Sequence, residues 1–211
     1  DAGRLTPGRG GDGNSRDGTT RTSDKWPLEA GVVGGGTDDG NVQVTRDGGN
    51  SWPLLNANIP DHPDYWVSRV EASHHDPATA FVTFTGYRND DFRPFVYMTT
   101  DFGATWRSIS ANLPSGPVNV IREHHANPDL LFVGTEFQVW VSNDRGRRWT
   151  SLRLDMPTAA VHDMKIHERD DDLVVATHGR GIYVLDIAPL AGLTSSVLAQ
   201  EAHLFQPEPE I

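Results

Sequence analysis

The sequence predicts an all-β fold, a β-propeller of about 3.5 four-stranded blades that forms part of a larger ring. Two observations support this prediction. Short runs of β-branched and aromatic residues, each bounded by Gly, Asp, Asn or Pro, recur from residue 31 onward and are typical of strands. A sequence motif also repeats at spacings of 54 and 43 residues. The longer spacing contains a polar insertion at residues 86–94, and the shorter one matches the length of one propeller blade.

The repeated motif is an octapeptide, Ser/Thr-x-Asp-x-Gly-x-x-Trp, at residues 45–52, 99–106 and 142–149. Its Asp accepts backbone N–H bonds across a tight turn, its Gly supplies a conformation that other residues resist, and its Trp anchors the next strand. The third copy has Arg148 before its Trp, so it lacks one hydroxyl hydrogen bond. We predict structural roles for Asp47, Gly49, Trp52, Asp101, Gly103, Trp106, Asp144, Gly146 and Trp149.

Composition divides the chain into three segments. Residues 1–25 are rich in Gly and poor in apolar residues, so we expect them to be flexible because burial cannot repay the entropy of ordering. Residues 26–190 contain the blades, and residues 191–211 form a C-terminal linker or a short helix, for which the segment from Leu190 to Ala202 is a candidate. A partial ring exposes sheet edges, so we expect the remaining blades in a longer parent chain or an associated fragment.

Charge and composition exclude several classes of protein. The chain has 211 residues, a formal charge of −11 and no Cys. An acidic protein without a basic patch repels phosphate backbones, so we expect no nucleic-acid partner. The absence of Cys excludes disulfides, thiolate zinc sites and Cys nucleophiles. Because no apolar run approaches the roughly 20 residues of a membrane helix, we expect no membrane span.

The octapeptide resembles the Asp-box of the BNR-repeat propellers, a group that includes sialidases, xyloglucanases and the sortilin luminal domain. Residues 36–49, 86–94 and 172–186 also look like the closing blades of large secreted bacterial proteins described as sortilin-like or glycosyl-hydrolase-like. The resemblance covers residues 31–187. It implies a parent propeller of about seven or more blades and a secreted or periplasmic location.

Propellers bind ligands at one end of the central channel, with residues from the inner strands and from the turns between strands. Alignment of the repeats places two polar sets around this channel: Ser68, Asn119 and His162 near the start of the inner strands, and Asp38, Glu136 and His178 after the second strands. The candidate ligand-binding residues are Arg69, Tyr87, Arg88, Arg122, His162, His178 and Arg180. The alternative is that charged residues around the channel only solvate it and pair with one another.

The polar insertion 86–94 is the clearest departure from the blade pattern. Loops that interrupt a repeat often lie on the binding face, so this loop is a candidate binding loop for a peptide or a sugar. The alternative is that Arg88 and Arg93 pair with Asp90 and Asp91 and hold the loop closed.

Two functions fit these features. The first is a non-catalytic ligand-binding or scaffold propeller segment of a secreted sortilin-like protein, which binds peptide, protein or glycan at the channel face. The alternative is part of a glycoside hydrolase, sialidase-like or xyloglucanase-like, which needs two carboxylates about 5–10 Å apart, one with a raised pKa. The candidate carboxylates are Glu71, Glu123, Glu136 and Asp163. If all four are engaged by Arg or point apart, the hydrolase hypothesis should be dropped.

The sequence favours neither a metal site nor a cofactor. The pairs 74–75 and 124–125 are adjacent histidines, and neighbouring residues of a regular strand point to opposite faces, so neither pair should chelate one ion. His162 and His178 are expected to approach each other within one blade. The acidic run 170–172 matches no calcium-loop spacing and is typical of a solvated turn.

Overall fold

The computed structural model describes residues 19–152, 156–193, 197, 200–202 and 204. These residues form fourteen β-strands, two 3₁₀ turns at Asn56–Asn58 and Tyr87–Asn89, and one short helix, α1 (Ala188–Ala191). The strands form four separate sheets, and every strand pair is antiparallel. The prediction of an all-β fold is therefore confirmed.

The four sheets follow one another along the chain as four blades. Blade 1 contains β1 (Thr20–Lys25), β2 (Val33–Thr37) and β3 (Val42–Thr45). Blade 2 contains β4 (Trp66–Ala72), β5 (Ala80–Thr85), β6 (Phe95–Thr99) and β7 (Arg107–Ser108). Blade 3 contains β8 (Val118–Glu123), β9 (Leu131–Thr135), β10 (Val139–Ser142) and β11 (Thr150–Ser151). Blade 4 contains β12 (Val161–His167), β13 (Asp172–Thr177) and β14 (Ile182–Asp186).

Blades 2 and 3 are complete, whereas blades 1 and 4 have three strands each. In blade 1, a single bridge between Gln43 and Leu54 stands at the position of the fourth strand. The arrangement confirms the predicted partial propeller. The first strand of each blade is here called the inner strand, because in a propeller it lies beside the central channel. The inner strands of blades 1, 2 and 3 each contact the inner strand of the next blade. Inner strands begin at the upper face of the molecule and end at its lower face.

Strand β1 corrects the predicted extent of the flexible segment. Residues 20–25 do not continue a flexible lead-in but pair with β2. Thr22 Oγ1 accepts the Val70 N–H at 3.2 Å, and Asp24 Oδ2 accepts the Ala72 N–H at 2.9 Å. These hydrogen bonds to β4 hold β1 in place, although the segment has little apolar surface to bury. Residues 1–18 of the predicted segment lie outside the described residues.

Each octapeptide forms the turn that follows the third strand of its blade. In the second copy, the Thr99 hydroxyl accepts the Gly103 N–H at 2.9 Å and donates to Asp101 at 2.8 Å. Asp101 also accepts the Thr105 N–H at 2.8 Å and the Thr105 hydroxyl at 2.6 Å. Gly103 has a φ of 84°, a backbone conformation that Gly adopts without steric cost. The aspartate is therefore occupied within its own turn.

The hydrogen bonds of the aspartate carboxylate differ by one between the first and third copies. In the first copy the Ser51 hydroxyl donates to Asp47 at 2.6 Å, and this bond is the main reason that the pKa of Asp47 is lowered to about 2. In the third copy Asp144 accepts the Arg148 N–H at 2.9 Å, but Arg148 has no hydroxyl to donate. The substitution thus removes one side-chain bond and leaves the backbone bond of the turn intact.

The Trp of the second and third octapeptides packs toward the preceding blade. Trp149 is buried, and its Nε1 donates to the Ile109 carbonyl of blade 2 at 2.7 Å. Trp106 is buried in the cluster that blades 1 and 2 share. Trp52, in the first blade, is half-buried and donates to Gly49 of its own turn at 3.2 Å. The junction of blades 1 and 2 and the junction of blades 2 and 3 therefore each receive one Trp from the later blade.

Blade 4 has one covered face and one free face. Leu173 and Val175 are buried in the cluster shared with blade 3. Ile182 and Val184 are 71% and 63% exposed, which is unusual for apolar strand residues. Since alternate residues of a strand point to opposite faces, these two side chains lie on the side away from blade 3.

The chain turns into α1 directly after β14. The helix spans Ala188–Ala191, with Pro189 in its first turn, and so begins before the expected Leu190. Most of the segment 191–211 lies outside the described residues. Among the helical residues that the structure describes, none form a segment long and apolar enough to cross a membrane.

Candidate functional site

The inner strands β4, β8 and β12 each bulge near the upper face. The shifts in strand register place Ser68, Asn119 and His162 at equivalent bulge positions, as the alignment of the repeats indicates. Ser68 Oγ donates to the Val118 carbonyl of blade 3 at 2.8 Å, and Asn119 Nδ2 donates to the Val161 carbonyl of blade 4 at 3.2 Å. Side chains at the bulge therefore connect one inner strand to the next.

Below the bulges, residues from three inner strands form one ion-pair network. Arg122 bonds to Glu71 of blade 2, and its Nη2 lies 2.9 Å from Asp163 Oδ1 of blade 4. Arg69 Nη2 lies 2.5 Å from the same oxygen of Asp163. The structure thus brings these four predicted channel residues together, and the two guanidinium groups balance the two carboxylates.

Two of the predicted carboxylates are buried and bonded to a neighbouring blade. Burial raises the pKa of Glu71 to about 7, against the opposing effect of the neighbouring Arg122. Burial also raises the pKa of Glu123. Glu123 Oε1 accepts the Ser73 hydroxyl at 3.0 Å, and Oε2 accepts the His74 N–H at 2.7 Å. Both side chains therefore join neighbouring blades.

The second predicted polar set lies at the upper face, in the turns after the second strands. Glu136 Oε1 accepts the Asn119 side-chain amide at 3.0 Å. The His178 ring is exposed and lies 4.9 Å from the His162 ring. Asp38 Oδ1 accepts the Thr19 N–H at 2.8 Å. Each of these contacts is made within one blade.

Arg180 occupies the turn between β13 and β14, also at the upper face. It is exposed, and its backbone carbonyl accepts the Tyr183 hydroxyl at 2.9 Å. Its guanidinium makes no ion pair within the described residues. The side chain is therefore available to a ligand at this face.

A cavity of about 230 Å³ opens at the lower end of the channel. Its walls are mostly polar and charged, and include Asp24, Arg69, Glu71, Arg122, His125 and Lys165. Pockets for drug-sized organic ligands are usually larger and lined mainly by apolar side chains. This cavity is therefore better suited to water and ions than to a large organic ligand.

The insertion 86–94 lies at the upper face, between β5 and β6. Arg93 pairs with Asp91 at 2.6 Å, and its hydrogen bonds lower the pKa of Asp91 to about 2. Arg88 stacks 3.7 Å from the centre of the Trp66 ring and makes no ion pair within the described residues. The hypothesis of a loop held by two ion pairs is therefore right for Arg93 and wrong for Arg88, which is held by a cation–π contact.

Three exposed aromatic rings lie on or beside this loop. Tyr87, Phe92 and Phe137 are 57%, 44% and 52% exposed, and we call them the aromatic surface. The Tyr87 and Phe92 rings are 6.4 Å apart in an edge-to-face arrangement. Gly116 donates its N–H to the Phe92 carbonyl at 2.7 Å, and a Cβ at Gly116 would lie 3.3 Å from the Phe137 ring. Sequence reasoning identified Tyr87 but missed Phe137, whose signal was a large aromatic in a polar turn.

The histidines differ from the sequence expectation at one pair. The expected approach of His162 and His178 is observed, but His124 and His125 do not point apart. They follow the end of β8, and their ring centroids are 4.5 Å apart at 30°. Asp171 Oδ1 lies 3.2 Å from His124 Nε2 and 3.5 Å from His125 Nε2. The argument from strand alternation fails because the pair lies in a turn.

These features define the chain as a segment of a β-propeller with Asp-box turns. Its residues 94–187 match the family model Sortilin-Vps10, described as sortilin, neurotensin receptor 3. No curated protein matches the sequence. The chain therefore resembles sortilin-like propellers, and the match covers the end of blade 2 and blades 3 and 4.

Solved structures with the same architecture include enzymes and binding proteins. The GH74 xyloglucanase from Xanthomonas campestris has a TM-score of 0.61 and 12% identity, over 80% of this chain and 29% of that chain. YCF48 bound to D1 peptide has a TM-score of 0.56 and 18% identity, over 81% and 52%. The extracellular domain of the putative one component system BT4673 from B. thetaiotaomicron has a TM-score of 0.60 and 12% identity, over 78% and 20%. These likenesses show the propeller fold, and this chain spans about half or less of each of these proteins.

Proposed function

We propose that the chain is a non-catalytic ligand-binding segment of a larger secreted or periplasmic propeller, and that it binds peptide or glycan at its upper face. The observation that supports a non-catalytic role most directly is the state of the four candidate carboxylates. Glu71 and Asp163 pair with Arg122, Glu123 bonds to blade 2, and Glu136 bonds to Asn119. A glycoside hydrolase needs one carboxylate to donate a proton and a second to act as nucleophile or base.

The aromatic surface supports a binding role. Exposed rings of Tyr87 and Phe92 offer flat apolar area with a fixed orientation, which suits both sugar rings and peptide side chains. Arg88 is held against Trp66, and Arg180 lies at the same face of blade 4. An exposed patch of this kind, rimmed by polar residues, is typical of an interaction site.

The likeness to other propellers is consistent with this proposal. YCF48, which has the same fold, was solved bound to D1 peptide. BT4673 is described as an extracellular domain, which supports a location outside the cytoplasm. We also expect further blades, from a longer parent chain or an associated fragment, to cover the free face of blade 4, where Ile182 and Val184 are exposed.

A binding screen tests the proposal. The 211-residue chain is applied to glycan and peptide arrays, and each hit is quantified by calorimetry with Phe92→Ala, Tyr87→Ala and the control Leu54→Ala. Leu54 is 54% exposed but lies at the outer edge of blade 1, away from the aromatic surface. We expect at least tenfold weaker binding for the two aromatic variants and no change for the control. Equal affinity in all three variants would remove the aromatic surface as the binding site.

Hydrolysis is tested in parallel. The chain and its Glu71→Gln variant are incubated with xyloglucan oligosaccharides and with sialyl-lactose, and products are followed by mass spectrometry. We expect no turnover by either protein. Turnover by the parent sequence that Glu71→Gln abolishes would replace the binding proposal with the hydrolase alternative.

A further inference from the structure

The turn after β8 holds two histidines of blade 3 against an aspartate of blade 4. Asp171 Oδ1 lies 3.2 Å from His124 Nε2 and 3.5 Å from His125 Nε2. All three ligand atoms lie within 4.8 Å of one another. We propose that His124, His125 and Asp171 form a zinc site at the lower face, which joins blades 3 and 4.

Two of the three distances between these atoms match tetrahedral coordination, namely those from Asp171 to each histidine. Zinc binds imidazole nitrogen and carboxylate oxygen at about 2.0–2.2 Å, so two ligand atoms on a tetrahedral ion are roughly 3.3–3.5 Å apart. The two measured distances from Asp171 Oδ1, 3.2 and 3.5 Å, lie close to this range. Two imidazoles and one carboxylate leave the fourth position for water, a set that zinc uses where its coordination stays open.

The burial of His124 is a second, independent observation. Its side chain is 0% exposed, and its Nε2 has no hydrogen-bond partner of acceptable geometry. Asp171 Oδ1 is also buried without such a partner. Buried polar atoms normally have a hydrogen-bond partner. Two buried atoms without one destabilise the fold, because neither can bond to solvent instead. A metal ion between the two atoms would satisfy both.

The equivalent turn of blade 2 shows that an imidazole is not needed for the fold. There Ser73 follows the inner strand, and its hydroxyl accepts the His75 N–H at 3.1 Å. In blade 3, His124 Nδ1 accepts the Ala126 N–H at 3.2 Å, which is the same local bond. A serine is therefore sufficient for the turn. The second nitrogen of His124, which a serine does not have, is the one that faces Asp171.

Metal binding requires one change at this turn. Because His124 Nδ1 accepts the Ala126 N–H, the neutral ring has its proton on Nε2. Coordination by Nε2 moves that proton to Nδ1, and the bond to Ala126, which is long at 3.2 Å, is lost. Ala126 is exposed, so its N–H then bonds to water. Both residues follow the end of β8, so the change is expected in the turn and not in the strand.

The variants that test the site are chosen to leave the fold intact. His125 and Asp171 have 22% and 28% side-chain exposure, whereas His124 is fully buried and its removal would risk misfolding. Asp171 has a φ of 48°, which Asn also tolerates, so Asp171→Asn keeps the turn and removes the anionic ligand. His178→Ala is the matched control, because its ring belongs to the other close histidine pair.

The experiment is a zinc titration of the untagged, metal-stripped 211-residue chain in competition with a chromogenic chelator. Cobalt absorption spectra report coordination number, and circular dichroism confirms that each variant is folded. We expect one equivalent of bound zinc, a tetrahedral cobalt spectrum, and at least tenfold weaker binding in His125→Ala and Asp171→Asn but not in His178→Ala. The absence of saturable zinc binding by the parent chain would overturn the proposal. So would folded Asp171→Asn and His125→Ala variants that bind zinc as tightly as the parent chain.

Discussion

The first and third octapeptides have the same pattern but different surroundings. Both turns close on their own aspartate, Asp47 or Asp144, through a bond to the backbone N–H four residues later, at 2.9 Å in each case. Their tryptophans differ, since Trp149 is buried against blade 2 while Trp52 is half-buried on its own turn. The comparison teaches that the turn is encoded locally, whereas the anchoring of its Trp depends on a preceding blade.

The largest expected effect distinguishes the two tryptophans. Trp149→Ala should destabilise the chain by about 3–5 kcal/mol, because it leaves a cavity and an unpaired Ile109 carbonyl in the junction of blades 2 and 3. Trp52→Ala should cost roughly 1 kcal/mol. Urea unfolding followed by circular dichroism measures both values. Equal losses would show that burial against the preceding blade is not what separates the two copies.

The glycines of the same two turns provide the next test. Gly146 and Gly49 have φ of 78° and 97°, so an Ala at either position is strained. A Cβ at Gly146 would lie 2.8 Å from Ile109 Cδ1, while at Gly49 the nearest atom is 3.9 Å away. Gly146→Ala should therefore cost about 2–4 kcal/mol and Gly49→Ala about 1 kcal/mol. The same urea titration measures this pair, and a larger loss for Gly49→Ala would contradict the packing assignment.

The Ser51 hydroxyl, which the third turn lacks, should make the stability of the chain depend on pH. Ser51→Ala should raise the pKa of Asp47 from about 2 toward 3.8, because the main bond that lowers it is removed. A carboxyl with a lowered pKa stabilises the fold above pH 3.8 and loses that contribution as the pH falls through about 2. Ser51→Ala should therefore lose stability at neutral pH and show a weaker acid dependence.

Arg148→Ser is the matched substitution in the third turn, and we expect it to add a hydroxyl bond to Asp144 and to stabilise the chain slightly. Carbon-detected NMR titration measures the pKa of Asp47, and urea unfolding measures the effect of Arg148→Ser on stability. If Ser51→Ala leaves the pKa of Asp47 unchanged, the hydroxyl bond is not its cause.

The smallest effect is expected at the free face of blade 4. Val184→Thr should change stability by less than about 0.5 kcal/mol, since the side chain is 63% exposed. Val175→Thr, buried against blade 3 on the adjacent strand, should cost about 1–3 kcal/mol because it buries a hydroxyl. Thermal unfolding of the two variants makes the comparison. A large loss at Val184 would indicate that another blade or a second copy covers this face in solution.

The strands and turns of blades 2 and 3 could be predicted from the sequence because their signals are local. The octapeptide specifies its turn within eight residues, and runs such as Leu131–Thr135 pair with strands that are near in the chain. Strand β1 could not be predicted in this way. All of its side chains are polar, and Thr22 and Asp24 are ordered by hydrogen bonds from β4.

The contacts within the candidate sites also could not be predicted from local sequence signals. The channel network was predicted as a set of residues, but the partners of Arg122 depend on the register between neighbouring blades. The contact of Asp171 with His124 joins residues that are distant in the chain and have no shared motif. The stacking of Arg88 on Trp66 depends on the fold of the inserted loop. Each of these contacts is fixed by tertiary placement, and alternation or turn chemistry alone does not specify it.

The bulges of the inner strands have a consequence for how such a protein grows. Ser68 and Asn119 supply the donors, but both acceptors are backbone carbonyls of the following blade. Every amino acid has a carbonyl, so a following blade of almost any sequence can receive this bond. A duplicated blade can therefore join the ring without a compensating substitution in its neighbour. For this contact, each blade needs to keep only one residue, the hydrogen-bond donor at its bulge.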